Sequence, residues 1–261
     1  MARMILKLAN GLLSAFLAVV LLAAGVYSAY ALWDNNQIYE AAANVQADMI
    51  RLKPAVDETA EEGPSFEELL AINPDVCAWI AMDGTKIDYP VLQGETNLTY
   101  INTDVYGNFA LAGSIFLDTR CDREFEQSYH LLYGHHMENS KMFGDLDLYK
   151  DGKFFQKNRT GTLILPGRVH SLETFACLLV YASDDVIFEP DRWQDDIEGL
   201  LDYAQQNSLN RSDETIDELR RACEDPGVET PQIVALSTCS AEFTDARTIV
   251  LAVMKDYAPA N

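Results

Sequence analysis

A nucleophilic thiol needs a low pKa or a neighbouring base and cation, because the thiolate is the form that attacks. One cysteine in this chain has a fitting setting. Cys239 ends the apolar run "QIVALSTC" and leads into the polar stretch "SAEFTDA", after which Arg247 opens the next apolar run, "RTIVLAVM". A guanidinium stays charged and presents a fork of donors, so Arg247 suits a developing anion. For an arginine taken by itself, a salt bridge with Glu242 or Asp245 is the commoner reading. Cys239 also has two readings, an activated nucleophile or a small buried hydrophobe, the usual fate of cysteine.

A base is available at the end of "YHLLYG", where His135 and His136 follow Gly134. Glycine there allows a sharp turn and the close approach of another group. A histidine at such an exit gives and takes a proton near neutral pH. Adjacent histidines on an extended segment point to opposite faces, and no HExxH spacing occurs, so no metal site is expected. His130 and His170 read as structural. Cys77 and Cys177 lie in apolar runs and belong to the core; Cys121 and Cys223 lie in polar segments and read as incidental. Five scattered cysteines without a CxxC pair argue against a disulfide scaffold and against a cysteine-rich zinc site.

Positioning these groups falls to a series of short apolar runs. "CAWIAMDGTKIDYPVLQ" reads as two strands around Asp83-Gly84, a strong hairpin signal. "SIFLD", "HLLYG", "GTLILP", "TFACLLVYA", "QIVALSTC" and "RTIVLAVM" bring the total to roughly eight strands. Short strands in that number predict a sandwich or closed barrel. One polar insertion, residues 190–223, carries helical spacing (Trp193, Ile197, Leu200, Leu201, Tyr203, Ile216, Leu219) and predicts one or two surface helices. Ahead of the strands, Ile38, Ala42, Val45, Met49 and Leu52 share a helical face, and residues 53–64 read as a polar linker. Ser65 and Glu68 have capping-box spacing before a short helix that Pro74 ends.

The N-terminal part is of another kind. Gly11 to Trp33 is 23 residues without a charge, and about 20 suffice to cross a bilayer as a helix. Arg3 and Lys7 precede it and Asp34 follows, which predicts a cytoplasmic N-terminus and an extracellular remainder. Ala29-Tyr30-Ala31 resembles a signal-peptide cleavage site, but the apolar stretch exceeds the usual length of about 7–15 residues, so a retained anchor is expected. The predicted organisation is a cytoplasmic tail (1–10), a transmembrane anchor (11–33), a helical segment and linker (34–64) and a catalytic domain (65–261). The formal charge is -22, and residues 1–33 contain no acid. So acidic a surface repels phosphates, which discounts nucleic acid as a partner.

Taken together, "YGHHM" (133–137), "LSTCS" (236–240), Glu242-Phe243 and Arg247 resemble the signature of sortases, membrane-anchored cysteine transpeptidases of Gram-positive bacteria. "GSIFLD" (113–118), "MFGDL" (142–146), the helical insertion before the cysteine strand and the helical segment ahead of the strands are similar to class B. The resemblance spans roughly residues 65–257. It implies an eight-stranded sortase-type β-barrel with N-terminal helices. It implies Cys239 as nucleophile, Arg247 as the residue that holds substrate and stabilises the oxyanion, and His135 as general acid/base, since the family's histidine directly follows the glycine. The implied substrates are secreted proteins bearing a C-terminal sorting signal. The acceptor would be a cell-wall amine, or a pilin amine in a pilus-building relative. Class B resemblance implies no cofactor, and no EF-hand spacing suggests calcium. A papain-like protease would place its cysteine well before its histidine, whereas here His135 precedes Cys239 by 104 residues. The non-enzymatic rival is a membrane-anchored β-barrel binding module with Cys239 buried.

Overall fold

From Val76 onward the short apolar runs become strands that hydrogen-bond into a closed ring. In chain order they are β1 (Val76–Met82), β2 (Asp88–Leu92), β3 (Ile115–Leu117), β4 (Tyr129–Gly134), β5 (His136–Met137), β6 (Lys141–Met142), β7 (Thr160–Leu165), β8 (Arg168–Tyr181), β9 (Ser208–Arg211), β10 (Ile233–Thr238) and β11 (Ala246–Asp256). The computed structural model describes residues 1–55, 65–181, 186–238 and 246–257. The ring runs β11-β10-β4-β3-β2-β1-β7-β8, and β8 pairs back onto β11. The β2–β3 and β4–β10 pairs are parallel and the others antiparallel. The result is an eight-stranded closed mixed barrel, as the run count predicts. Closure leaves these strands without a long free edge.

The runs are continuously apolar because many strands are covered on both faces. In β1, Cys77, Ile80 and Met82 belong to the barrel core, while Val76 and Trp79 join a second cluster outside it. That second cluster contains Met49 and Leu69, so the helices before the barrel cover its outer wall. The predicted turn after β1 forms, with Gly84 at φ +75°, a conformation glycine adopts without penalty.

The chain divides into two compact units, Met1–Ala41 and Ala42–Asn261. One continuous helix, α1 (Ala2–Ile50), supplies all but the first residue of the first unit and the opening of the second. It is long and apolar enough to cross a membrane, and residues 11–33 within it are exposed throughout. In the second unit its last turns bury Met49 and Gln46, and Gln46 Nε2 donates to Lys86 O at 3.0 Å. The next helix, α2 (Phe66–Ile72), starts at Ser65 as predicted, but the Ser65 side chain makes no capping bond.

Polar segments supply the remaining helices. A 3-10 helix (Gly144–Lys150) precedes α3 (Gly152–Lys157), which Asp151 caps by accepting from Lys153 N and Phe154 N, both at 2.9 Å. The insertion holds three helices where one or two are predicted: α4 (Pro190–Gln194), α5 (Ile197–Asn207) and α6 (Asp213–Glu224). Asp196 and Ser212 cap the last two. Between α5 and α6, β9 pairs with β8. Its sequence "SLNR" carries no apolar alternation that would announce a strand.

Candidate active site

Three neighbouring strands meet at one rim of the barrel. β4 and β10 run parallel, and every pair in their ladder is 104 positions apart, up to Thr238 beside Gly134. On its other side β10 pairs antiparallel with β11, with Ser237 opposite Ile249. At the end of that ladder Thr248 N donates to Thr238 Oγ1 (3.2 Å), and Arg247 Nη1 donates to Thr238 O (3.0 Å). The C-terminal ends of β4 and β10 and the N-terminal end of β11 are thus brought together. The residue after Gly134 is His135. The residue after Thr238 is Cys239, which lies outside the described residues together with Glu242 and Asp245.

Gly134 is required by crowding. A Cβ there would stand 2.4 Å from Ile115 Cδ1 and 2.7 Å from Phe143 Cδ2. Beyond it, His135 is half-buried and its carbonyl accepts from Phe143 N at 3.0 Å. Its ring Nε2 lies 2.8 Å from Ile101 O. A carbonyl only accepts, so Nε2 carries the hydrogen and Nδ1 is the basic nitrogen of the neutral ring. His136 diverges, as expected of adjacent residues on an extended segment: its Nε2 lies 3.1 Å from Asp147 Oδ2. The two histidines therefore have different partners.

Asp147 is a rim carboxylate that sequence reasoning missed. It lies in the 3-10 helix, and its Oδ1 also accepts from Thr248 Oγ1 (2.8 Å) and pairs with Lys150 Nζ (2.6 Å). Burial alone would raise its pKa; hydrogen bonds from His136, Lys150 and Thr248 override that and hold it well below the usual carboxylate range. The segment "MFGDLDLYK" reads as any polar helical turn, and Thr248 is 101 residues away in sequence, so no local signal reveals the contact.

The other thiols are unsuited to nucleophilic work. Burial pushes Cys77, Cys121 and Cys177 up to about 12, against the shift an active thiol needs. Burial also raises Cys223, which packs against the core. Cys121 lies in a polar-looking segment yet is 4% exposed and part of the core, which corrects its reading as incidental. His130 and His170 are structural in their settings: burial lowers both pKa values, and His130 is wholly buried against Phe125. Among the described residues, no group of three or more His, Cys, Asp or Glu is placed to hold a metal ion.

No protein-family model matches the chain. It is similar to sortase B of Staphylococcus aureus, at 31% identity over 195 residues, 74% of this chain and 74% of the relative. Among solved structures it resembles a class B sortase of Streptococcus pyogenes involved in pilus biogenesis. That match has 37% identity and a TM-score of 0.63, covering 73% of this chain and 97% of the other. It also resembles sortase B of Bacillus anthracis, with 28% identity and a TM-score of 0.66, over 85% of this chain and 99% of that one.

Proposed function

Since the chain belongs to the sortases and is class B-like, a cysteine transpeptidase that anchors surface proteins, we propose that Cys239, His135 and Arg247 carry its reaction. The observation that carries this reading is the register at the rim. The β4–β10 ladder pairs positions 104 apart, and Cys239 stands 104 positions after His135. The β10–β11 ladder ends with Ser237, two positions before Cys239 in the sequence, opposite Ile249, two positions after Arg247. Both ladders thus end within two positions of Cys239 in the sequence, and the strand ends next to His135 and Arg247 lie at that rim. The raised thiols elsewhere leave Cys239 as the nucleophile the chemistry needs.

In the proposed reaction the Cys239 thiol first gives its proton to Nδ1 of His135, and the resulting thiolate attacks a backbone carbonyl in a C-terminal sorting motif. A C–S bond forms, and the C–N bond breaks as His135 gives the leaving amine its proton from Nδ1. The thioacyl-enzyme is then attacked by an acceptor amine, whose proton returns to Nδ1 as the new amide forms and the thiolate leaves. Arg247 meets the oxyanion of both tetrahedral intermediates. The bond from Arg247 Nη1 to Thr238 O supports this role, because it directs the guanidinium towards the strand that leads into Cys239. The acceptor is a cell-wall amine in the first reading. The 37% identity to a pilus-building class B sortase favours a pilin amine as the second. Residues 11–33 anchor the enzyme with its N-terminus in the cytoplasm and residues 65–261 as the catalytic domain outside.

The test presents the full-length protein, in detergent micelles, with a panel of sorting-motif peptides and two kinds of acceptor, peptidoglycan-stem amines and a pilin lysine peptide. Cleavage, transfer and an acyl adduct at Cys239 are expected, all lost in Cys239→Ala. Arg247→Lys keeps the charge but loses the fork, and turnover should fall about 100-fold. If no peptide acylates Cys239, the assignment is wrong; the acceptor consumed decides between the two readings.

A further inference from the structure

Asp147 ties together the segments that flank the proposed thiol, and we propose that it is a positioning residue for the transfer reaction. This rests on the assignment of Cys239, His135 and Arg247 made above. One carboxylate holds His136, the neighbour of His135, at 3.1 Å, and Thr248, the neighbour of Arg247, at 2.8 Å. Thr248 in turn donates its backbone N–H to the side chain of Thr238, the residue before Cys239. A single group thus links the residues adjoining all three members of the site, from three separate segments of chain.

This differs from an ordinary surface ion pair in what is buried. Thr248 is 3% exposed, so its hydroxyl depends on Asp147 for its acceptor, and removing the carboxylate leaves that donor unpaired inside the protein. Lys150 Nζ, on the same 3-10 helix, balances the charge at 2.6 Å. The ties act on neighbours, so Asp147 sets where the base and the cation stand, not their chemistry. A misplacement of about 1 Å at a reacting group costs about 100-fold in rate. The expected signature of losing Asp147 is therefore a fall in kcat at nearly constant KM.

The test uses the full-length protein in detergent micelles, a fluorogenic form of the panel peptide that acylates Cys239 as acyl donor and hydroxylamine as acceptor. Asp147→Ala should lower kcat about 10- to 100-fold and leave KM within about twofold. Thr248→Val, which keeps volume and removes the hydroxyl, should lower kcat about 10-fold. The double variant should lose no more than Asp147→Ala alone, because both act through one link. Normal kcat in Asp147→Ala and Thr248→Val beside an inactive Cys239→Ala would overturn the inference and leave the site assignment standing. Losses that multiply in the double variant would also overturn it. Should Asp147→Ala not fold, Thr248→Val decides alone: reduced kcat supports the link and unchanged kcat overturns it. Turnover that survives Cys239→Ala, or no turnover in the wild type, would overturn the site assignment and this inference with it.

Discussion

His130 and His135 are five residues apart and have opposite environments. His130 is fully buried, its ring 4.7 Å from Phe125 and its Nε2 2.8 Å from Gln127 O. Burial lowers its pKa from 6.5 to about 4. The unfolded chain therefore takes up a proton as pH falls through about 6.5, whereas the fold resists until about 4. Stability should be unaffected above that window and decline across it, by about 3 kcal/mol in all for this one group. Unfolding followed at neutral pH and near the lower limit should show a larger loss in the wild type than in His130→Gln. Equal losses would sink the argument. At this scale the sequence nominates Cys239, Arg247 and a histidine pair from residue type and setting. The choice of His135 over His136 rests on the resemblance, in which the histidine directly follows the glycine; the structure adds that the two have different partners, Ile101 and Asp147. Asp147 itself is silent in sequence, because its partners are set by tertiary folding.

Strand β4 delivers His135 only because it ends in a residue without a side chain. Gly134→Ala would drive a Cβ into Ile115 and Phe143, and overpacking of this kind costs about 1–3 kcal/mol. The melting temperature and turnover should both fall, and Ile115→Val, which removes the nearest methyl, should restore part of each. A wild-type melting temperature in Gly134→Ala would show that the strand end yields freely. The elements that the sequence foretells are those with a strong hydrophobic signal: the continuous apolar runs, the apolar stretch that lies within α1 and the helical face of the insertion. Those it misses lack periodicity. β9 is polar and short, and it exists because the C-terminal half of β8 offers it backbone partners. The capping pattern at Ser65 predicts where α2 begins, yet the predicted side-chain bond is absent.

The whole molecule carries a formal charge of -22, with every acidic residue beyond residue 33. Such a surface should draw in a sorting peptide that ends in basic residues. The Debye length shrinks from about 10 Å at 0.1 M salt to about 3 Å at 1 M. Across that range kcat/KM should fall for a peptide with a basic tail and hold for one with a neutral tail. Equal salt response would show that the charge serves solubility. The strands were legible from the number and length of the apolar runs, which left a sandwich or a closed barrel until the resemblance favoured the barrel; the order of strands in the ring was not legible, because parallel neighbours leave no local trace. On the proposed assignment of Cys239 and His135, the parallel β4–β10 ladder also sets when the enzyme can become active. Its partners are 104 positions apart, so joining them closes a long loop, an entropically costly late event of high contact order. Until that seam zips, the proposed base and thiol belong to unconnected stretches of chain. A nascent or half-folded molecule then carries an ordinary cysteine, and hazardous acyl-transfer reactivity switches on only with completed folding.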